Sequence, residues 1–249
     1  MNFLSDLNLA GVQWELEETA FGIAQQNEEA GAIAHSPKVA RVATAVVPPI
    51  SPIVHITSDT ARAVASRPGT LDALLRVIAE FNHPLRASVS NVVLPHVAPA
   101  PNGVLILTDI PSSDDDASGR VLMGPAGELL DKMIGAIGMS RENVSLCPLL
   151  FWRTPGGRSP SREELDLARP FVDRFIELVE PRMIITLGML AAKEFVNVDL
   201  IKNHGEVVEY KDNIKVVPIF HPNYLMLKPG AKQPVWTVLQ NVRNMLKNQ

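Results

Sequence analysis

Four short apolar runs, each leading into a stretch with helical character, constrain this chain more than any other feature. The runs are Val104–Thr108, residues 144–150, Met183–Leu187 and residues 216–220. Residues 125–138 form a helix candidate, with Pro125 near its first turn and Gly138 at its end. Ser161 is placed to cap a helix reaching residue 179, and Glu164 completes a capping box. Shorter helices are expected over Met189–Val196 and residues 236–246. Strands alternating with helices predict an α/β fold: a three-layer α/β/α domain around a mostly parallel central sheet.

Upstream of this region the composition changes twice. Residues 1–29 read as an amphipathic helix, with Leu9, Val12, Trp14 and Leu16 set among Glu15, Glu17 and Glu18. Residues 30–58 are rich in Ala, Ser and Val and interrupted by Pro37, Pro48, Pro49 and Pro52, as a linker would be. A helical pattern returns over residues 60–82. The α/β domain is therefore expected over residues 59–249.

Charge and cysteine usage exclude several classes. Lys and Arg total 23 against 27 Asp and Glu, a net charge of −4, which excludes a globally basic nucleic-acid binder but not a local basic patch. The single cysteine, Cys147, excludes an internal disulfide framework and a cysteine-ligated metal centre. A lone thiol fits a reducing, cytoplasmic setting. No apolar run reaches membrane-spanning length, and the N-terminus has no basic, then apolar, leader pattern. No membrane association is expected.

In open α/β sheets the working site lies beyond the carboxyl ends of the strands. The segments to read are Thr108 to Ser112, Phe151 to Arg158, Gly188, and His221 to Leu225. Asp109 can act as a general base or orient a water, or can simply hold an Asx turn before Pro111. His221 can donate to a developing anion, or can fix its own loop. Arg153 and Arg158 flank a Pro-Gly-Gly loop, and Lys228 and Lys232 follow the histidine. Both pairs suit phosphates, and both also suit a solvated loop. Asp114-Asp115-Asp116 has no metal-ligand spacing and reads as a solvated turn. His35, His55, His83, His96 and His204 likewise show no ligand spacing, and no metal site is assigned. Cys147 reads as a buried, inert thiol.

In order and spacing these segments resemble the uracil-DNA glycosylase superfamily, and its family-4 type in particular, in a form with an added N-terminal region. The resemblance is carried by residues 9–18, 81–90 and 104–130, the last including Gly124-Pro125-Ala126-Gly127-Glu128-Leu129-Leu130. It continues through 152–158, with Ser159-Pro160 and Glu163-Glu164 after it, and through 221–232. It implies excision of uracil or another altered base from DNA, with Asp109 and His221 catalytic. It places Pro111, Leu122 and Pro148 at the base pocket. Arg153, Arg158, Asn223, Lys228 and Lys232 would face DNA, and Leu225 would be the wedge entering the duplex.

The departures from the family pattern fall where chemistry belongs. Its Gly-Glu-Ala-Pro-Gly motif reads Thr108-Asp109-Ile110-Pro111-Ser112 here, one methylene shorter at the carboxylate and without either glycine. Leu122 stands at the uracil-stacking Phe, and Pro148 at the base-reading Asn. The family's cluster cysteines are absent: His83, Trp152 and Ala168 stand at three of the positions, so no iron–sulfur cluster or other cofactor is expected. Two readings stay open at this point. One is an active DNA N-glycosylase; the other is a non-catalytic DNA- or partner-binding descendant, with residues 1–58 available for a protein contact.

Overall fold

A computed structural model describes residues 56–247. The helix expected at 1–29, most of the linker at 30–58 and any protein contact made through them lie outside the described residues. The domain begins at α1 (Ser58–Ala65), capped by Thr57, and continues in α2 (Leu71–Glu80), capped by Thr70. The single helical stretch expected over 60–82 is thus two helices, because Pro68 and Gly69 end the first.

The core alternates as expected. It runs β1 (Val104–Thr108), α3 (Ser113–Ser118), α4 (Gly124–Gly135), β2 (Val144–Pro148), α5 (Arg162–Val179), β3 (Met183–Leu187) and α6 (Met189–Val196). Then follow β4 (Val208–Glu209), β5 (Lys215–Ile219), α7 (Pro222–Leu227) and α8 (Lys232–Lys247). The sheet order is β2-β1-β3-β5-β4. Strands β2, β1, β3 and β5 are parallel, and β4 pairs antiparallel with β5 at the edge. Two residues are too few to show a periodicity, and β4 has no counterpart in the sequence reading.

Both faces of the sheet are covered, which is why its parallel strands are mostly apolar and buried along nearly their whole length. Val104 and Ile106 of β1 face a core built with Leu129, Leu130 and Met133 of α4 and Val235, Leu239 and Val242 of α8. Leu105 and Leu107 face the other core, with Leu74 and Ile78 of α2, Phe171 and Phe175 of α5, and Phe195 of α6. The capping box at Ser161 and Glu164 is present, and α5 ends at Val179 as expected. Among the described residues no helix is long and apolar enough to cross a membrane.

Candidate active site at the strand ends

Register brings the rim together. Pro148, Thr108, Leu187 and Ile219 lie in one row across β2, β1, β3 and β5. The next residues are Leu149, Asp109, Gly188 and Phe220, followed by His221. Neighbouring strands are about 4.8 Å apart, so Asp109 and His221 leave the sheet about 10 Å apart, on either side of β3. Backbone bonds fix this edge: Leu149 N–H donates to Thr108 O at 2.9 Å, and Gly188 N–H to Ile219 O at 3.0 Å.

Asp109 is anchored. Its Oδ1 accepts the Ala191 N–H of α6 at 2.6 Å. Burial pushes its carboxyl up to about 6, and the Ala191 and Leu190 amides pull it the other way. The Asx turn weighed as the bland alternative is not what holds the side chain; the docking is on a different strand's helix.

The acidic run is not wholly a solvated turn. Asp114 is exposed, whereas the Asp115 and Asp116 carboxylates each tie down a different loop. Asp115 is 5% exposed. Its Oδ2 accepts Ser112 N–H at 2.9 Å while the Ser112 hydroxyl accepts Asp115 N–H at 3.1 Å, a capping box on α3. Its Oδ1 accepts Met123 N–H at 2.7 Å. Asp116 Oδ1 accepts Ser90 N–H at 2.9 Å and Asn91 N–H at 3.2 Å. The Asp114 carboxylate packs against Gly124, where a Cβ would overlap it. The sequence signal that could have found Asp115 is the Ser-x-x-Asp spacing. Among the described residues no group of His, Cys, Asp and Glu could hold a metal ion.

The three base-pocket candidates are buried. Pro148 ends β2 beside Thr108. Leu122 has φ 52°, a left-handed conformation that costs a non-glycine residue about 1–2 kcal/mol. Its surroundings hold it there. Arg141 donates to Val121 O at 3.0 Å and to Leu122 O, and Asp115 holds the next amide. Gly127 lets α4 approach so closely that a Cβ would lie 2.0 Å from Leu122 O. Strain sustained in this way clusters at functional sites.

His221 caps α7. Its Nδ1 accepts Asn223 N–H at 3.2 Å, which leaves the proton of the neutral ring on Nε2. Burial lowers its pKa to about 4, with Asp115 pulling the other way. Behind it, Phe220 lies between the rings of His204 (4.4 Å) and Tyr224 (4.8 Å).

Two expected DNA contacts sit elsewhere than their assignment requires. Leu225 is 1% exposed, within the core beneath α7, because the helix turns it inward. The outward apolar side chains of the same loop are Tyr224, Met226 and above all Leu227, 78% exposed. Lys232 is 7% exposed at the start of α8, and burial lowers its pKa. Arg158 donates to both carboxylate oxygens of Glu164 and to Ser159 O at 3.0 Å, bracing its own loop while its side chain stays 48% exposed. Asn223 and Lys228 are exposed and Arg153 is half-buried.

The positions where the resemblance would put cluster cysteines are filled by packing. His83, Trp152 and Ala168 are all buried in the core beneath α5. The one cysteine lies inside β2. This donor set does not fit a four-cysteine cluster. A separate depression of about 770 Å³, lined by Glu177, Arg182, Tyr210 and Lys215 among others, lies at the opposite ends of the strands and carries mixed charge.

The sequence model of the family described as "Uracil DNA glycosylase superfamily" matches residues 95–243. The type-4 uracil-DNA glycosylase of Archaeoglobus fulgidus is 30% identical over 139 residues, 52% of this chain and 70% of that protein. That of Thermotoga maritima is 32% identical over 126 residues, 49% of this chain and 66% of that protein. That of Saccharolobus solfataricus is 29% identical over 156 residues, 59% and 72% of the two chains.

Proposed function

The chain belongs to the uracil-DNA glycosylase superfamily, and on that footing we propose that it excises uracil, or a closely related altered base, from DNA by hydrolysing the N-glycosidic bond, as the first step of base excision repair. The observation that carries this reading is that an anchored carboxylate, Asp109, and a neutral histidine, His221, stand on either side of β3 at one rim. The non-catalytic alternative is not favoured, since the relatives that the chain matches are named as type-4 uracil-DNA glycosylases.

Chemistry on a base requires its nucleotide to leave the stack. Leu122, Pro111 and Pro148 would offer it apolar surface, replacing stacking on an aromatic ring by simple contact. Asp109 accepts a proton from a water whose oxygen forms the new bond to C1′. As the bond from C1′ to the base nitrogen breaks, the electron pair leaves with the base. His221 donates its Nε2–H towards the resulting anion. A neutral donor serves because it stabilises developing charge without itself losing a proton. Arg153, Asn223 and Lys228 would lie along the phosphates, and Leu227 would replace the extruded base in the stack. The reading includes no iron–sulfur cluster, because the donors are not in the chain. A DNA-contacting enzyme of this kind works where DNA is accessible, here read as the cytoplasm.

The test is excision from oligonucleotides carrying uracil, hypoxanthine or xanthine, single- and double-stranded, with alkali cleavage of the abasic product. Release by the wild type that is lost in both Asp109→Asn and His221→Ala supports the reading. Folded protein that binds DNA yet releases no base from any substrate overturns it.

A further inference from the structure

Asp109 docks in a space that the fold keeps clear for it. Its carboxylate leaves β1, crosses to the end of β3, and meets the first-turn amides of α6. The residue before that helix is Gly188, with φ +104° and ψ 169°, a region essentially restricted to glycine. A Cβ here would lie 2.1 Å from Oδ2 and 2.5 Å from Cγ of Asp109. The seat therefore has two parts: a side chain that is missing and a pair of amides that point in.

A tie between β1 and α6 does not need a carboxylate. Asn or Ser would cap the same helix without burying a charge. The fold instead holds an ionisable group, half-buried, in one orientation. We propose that Gly188 is a positioning residue for the reaction, keeping open the seat in which the α6 amides hold the Asp109 carboxylate towards the site. The inference rests on the reading of Asp109 as the water-orienting group. A carboxylate displaced by about 1 Å loses on the order of 100-fold in rate.

The experiment compares wild type, Gly188→Ala, Asp109→Ala and the double variant. Gly188→Ala should bind uracil-containing duplex with wild-type affinity and excise about 100-fold more slowly. Its Asp109 carboxyl signal, followed by ¹³C NMR, should titrate at a different midpoint from the wild type, a change that backbone strain alone would not produce. In urea unfolding, Gly188→Ala should cost much less in the Asp109→Ala background, where the Cβ has no carboxylate to meet. If Gly188→Ala fails to fold, a folded double variant supports the seat, and an equally unfolded one overturns it. Wild-type excision with an unmoved titration, or the same cost in both backgrounds, also overturns it. Should the wild type release no base at all, the proposed function falls while the titration and the unfolding comparison still decide the seat.

Discussion

The imidazole of His83 lies flat against the indole of Trp152, ring centres 4.2 Å apart and planes within 2° of parallel. Both ring nitrogens are used. Nδ1 accepts Leu85 N–H at 3.2 Å, and Nε2–H donates to Glu164 O at 3.1 Å. The pair joins the segment before β1 to the start of α5, and Glu164 passes the restraint on to Arg158 and the loop at the rim.

The His83 geometry accommodates only the neutral ring, and this gives a pH dependence. Burial lowers its pKa from the ordinary 6.5, against the opposing bond to Glu164. The unfolded chain therefore takes up a proton near 6.5 that the folded chain refuses. The stability is full above that pH and falls as pH drops below it. Asp109, raised to about 6, works in the opposite sense as pH falls from 6 towards 3.8. Replacing His83 by Phe should reduce the loss of urea resistance between pH 7.5 and pH 5.5. An unchanged loss would show that other groups carry it.

Excision should show one acidic limb. Asp109 must be ionised to accept a proton and titrates at about 6, whereas His221, at about 4, stays neutral well below that. The rate should be flat near neutrality and fall about tenfold for each pH unit below the Asp109 midpoint. Single-turnover rates across pH 4.5–8 check this. A second limb near 6.5 in the same range would mean that a protonated histidine is needed.

Two leucines of the α7 loop should separate stability from DNA action. Leu225→Ala removes a core side chain and should cost about 2–5 kcal/mol in unfolding. Leu227→Ala should stay within about 0.5 kcal/mol of wild type, as exposed substitutions do. It should nonetheless slow excision from duplex far more than from single strands, which have no stack to refill. Equal slowing on both substrates would remove Leu227 from the duplex.

Asp115→Ala frees the Ser112 and Met123 amides together. Leaving buried donors unpaired should cost about 1–3 kcal/mol, or a fall in Tm of about 2–4 °C per kcal/mol for a chain of this size. Because Leu122 is strained between Asp115 and Arg141, excision measured well below Tm should fall as well. A drop in Tm with full activity would confine Asp115 to a structural part.

Salt dependence distinguishes the cations. Lys228→Ala should lower the slope of log affinity against log salt by about 0.9, one phosphate's worth. Arg158→Ala should leave the slope nearly unchanged, since the guanidinium is already on Glu164.

The elements of this fold were readable because local rules set them. Both ends of β3, α6 and the Ser161 cap fall where apolar runs and capping spacing put them. The rim residues were found because strands that alternate with helices run parallel, and parallel strands end together. β4 escaped because two residues show no pattern. Leu225 was misplaced because a motif fixes the order of residues and not which of them a six-residue helix turns inward.

What the sequence determined by itself is therefore the α/β order, the strand ends where chemistry collects, and the family. Tertiary structure alone decided what each charged side chain faces. Asp109 and Gly188 are 79 positions apart and meet only because β1 and β3 are neighbours in the sheet. Asp115 serves the Leu122 loop, and Arg158 reaches Glu164 from a half-exposed position. The physical reason is that propensity and periodicity act over a few residues, whereas the partner of a buried charge is chosen by strand order and packing. The cost of leaving that charge unpaired then holds the choice in place.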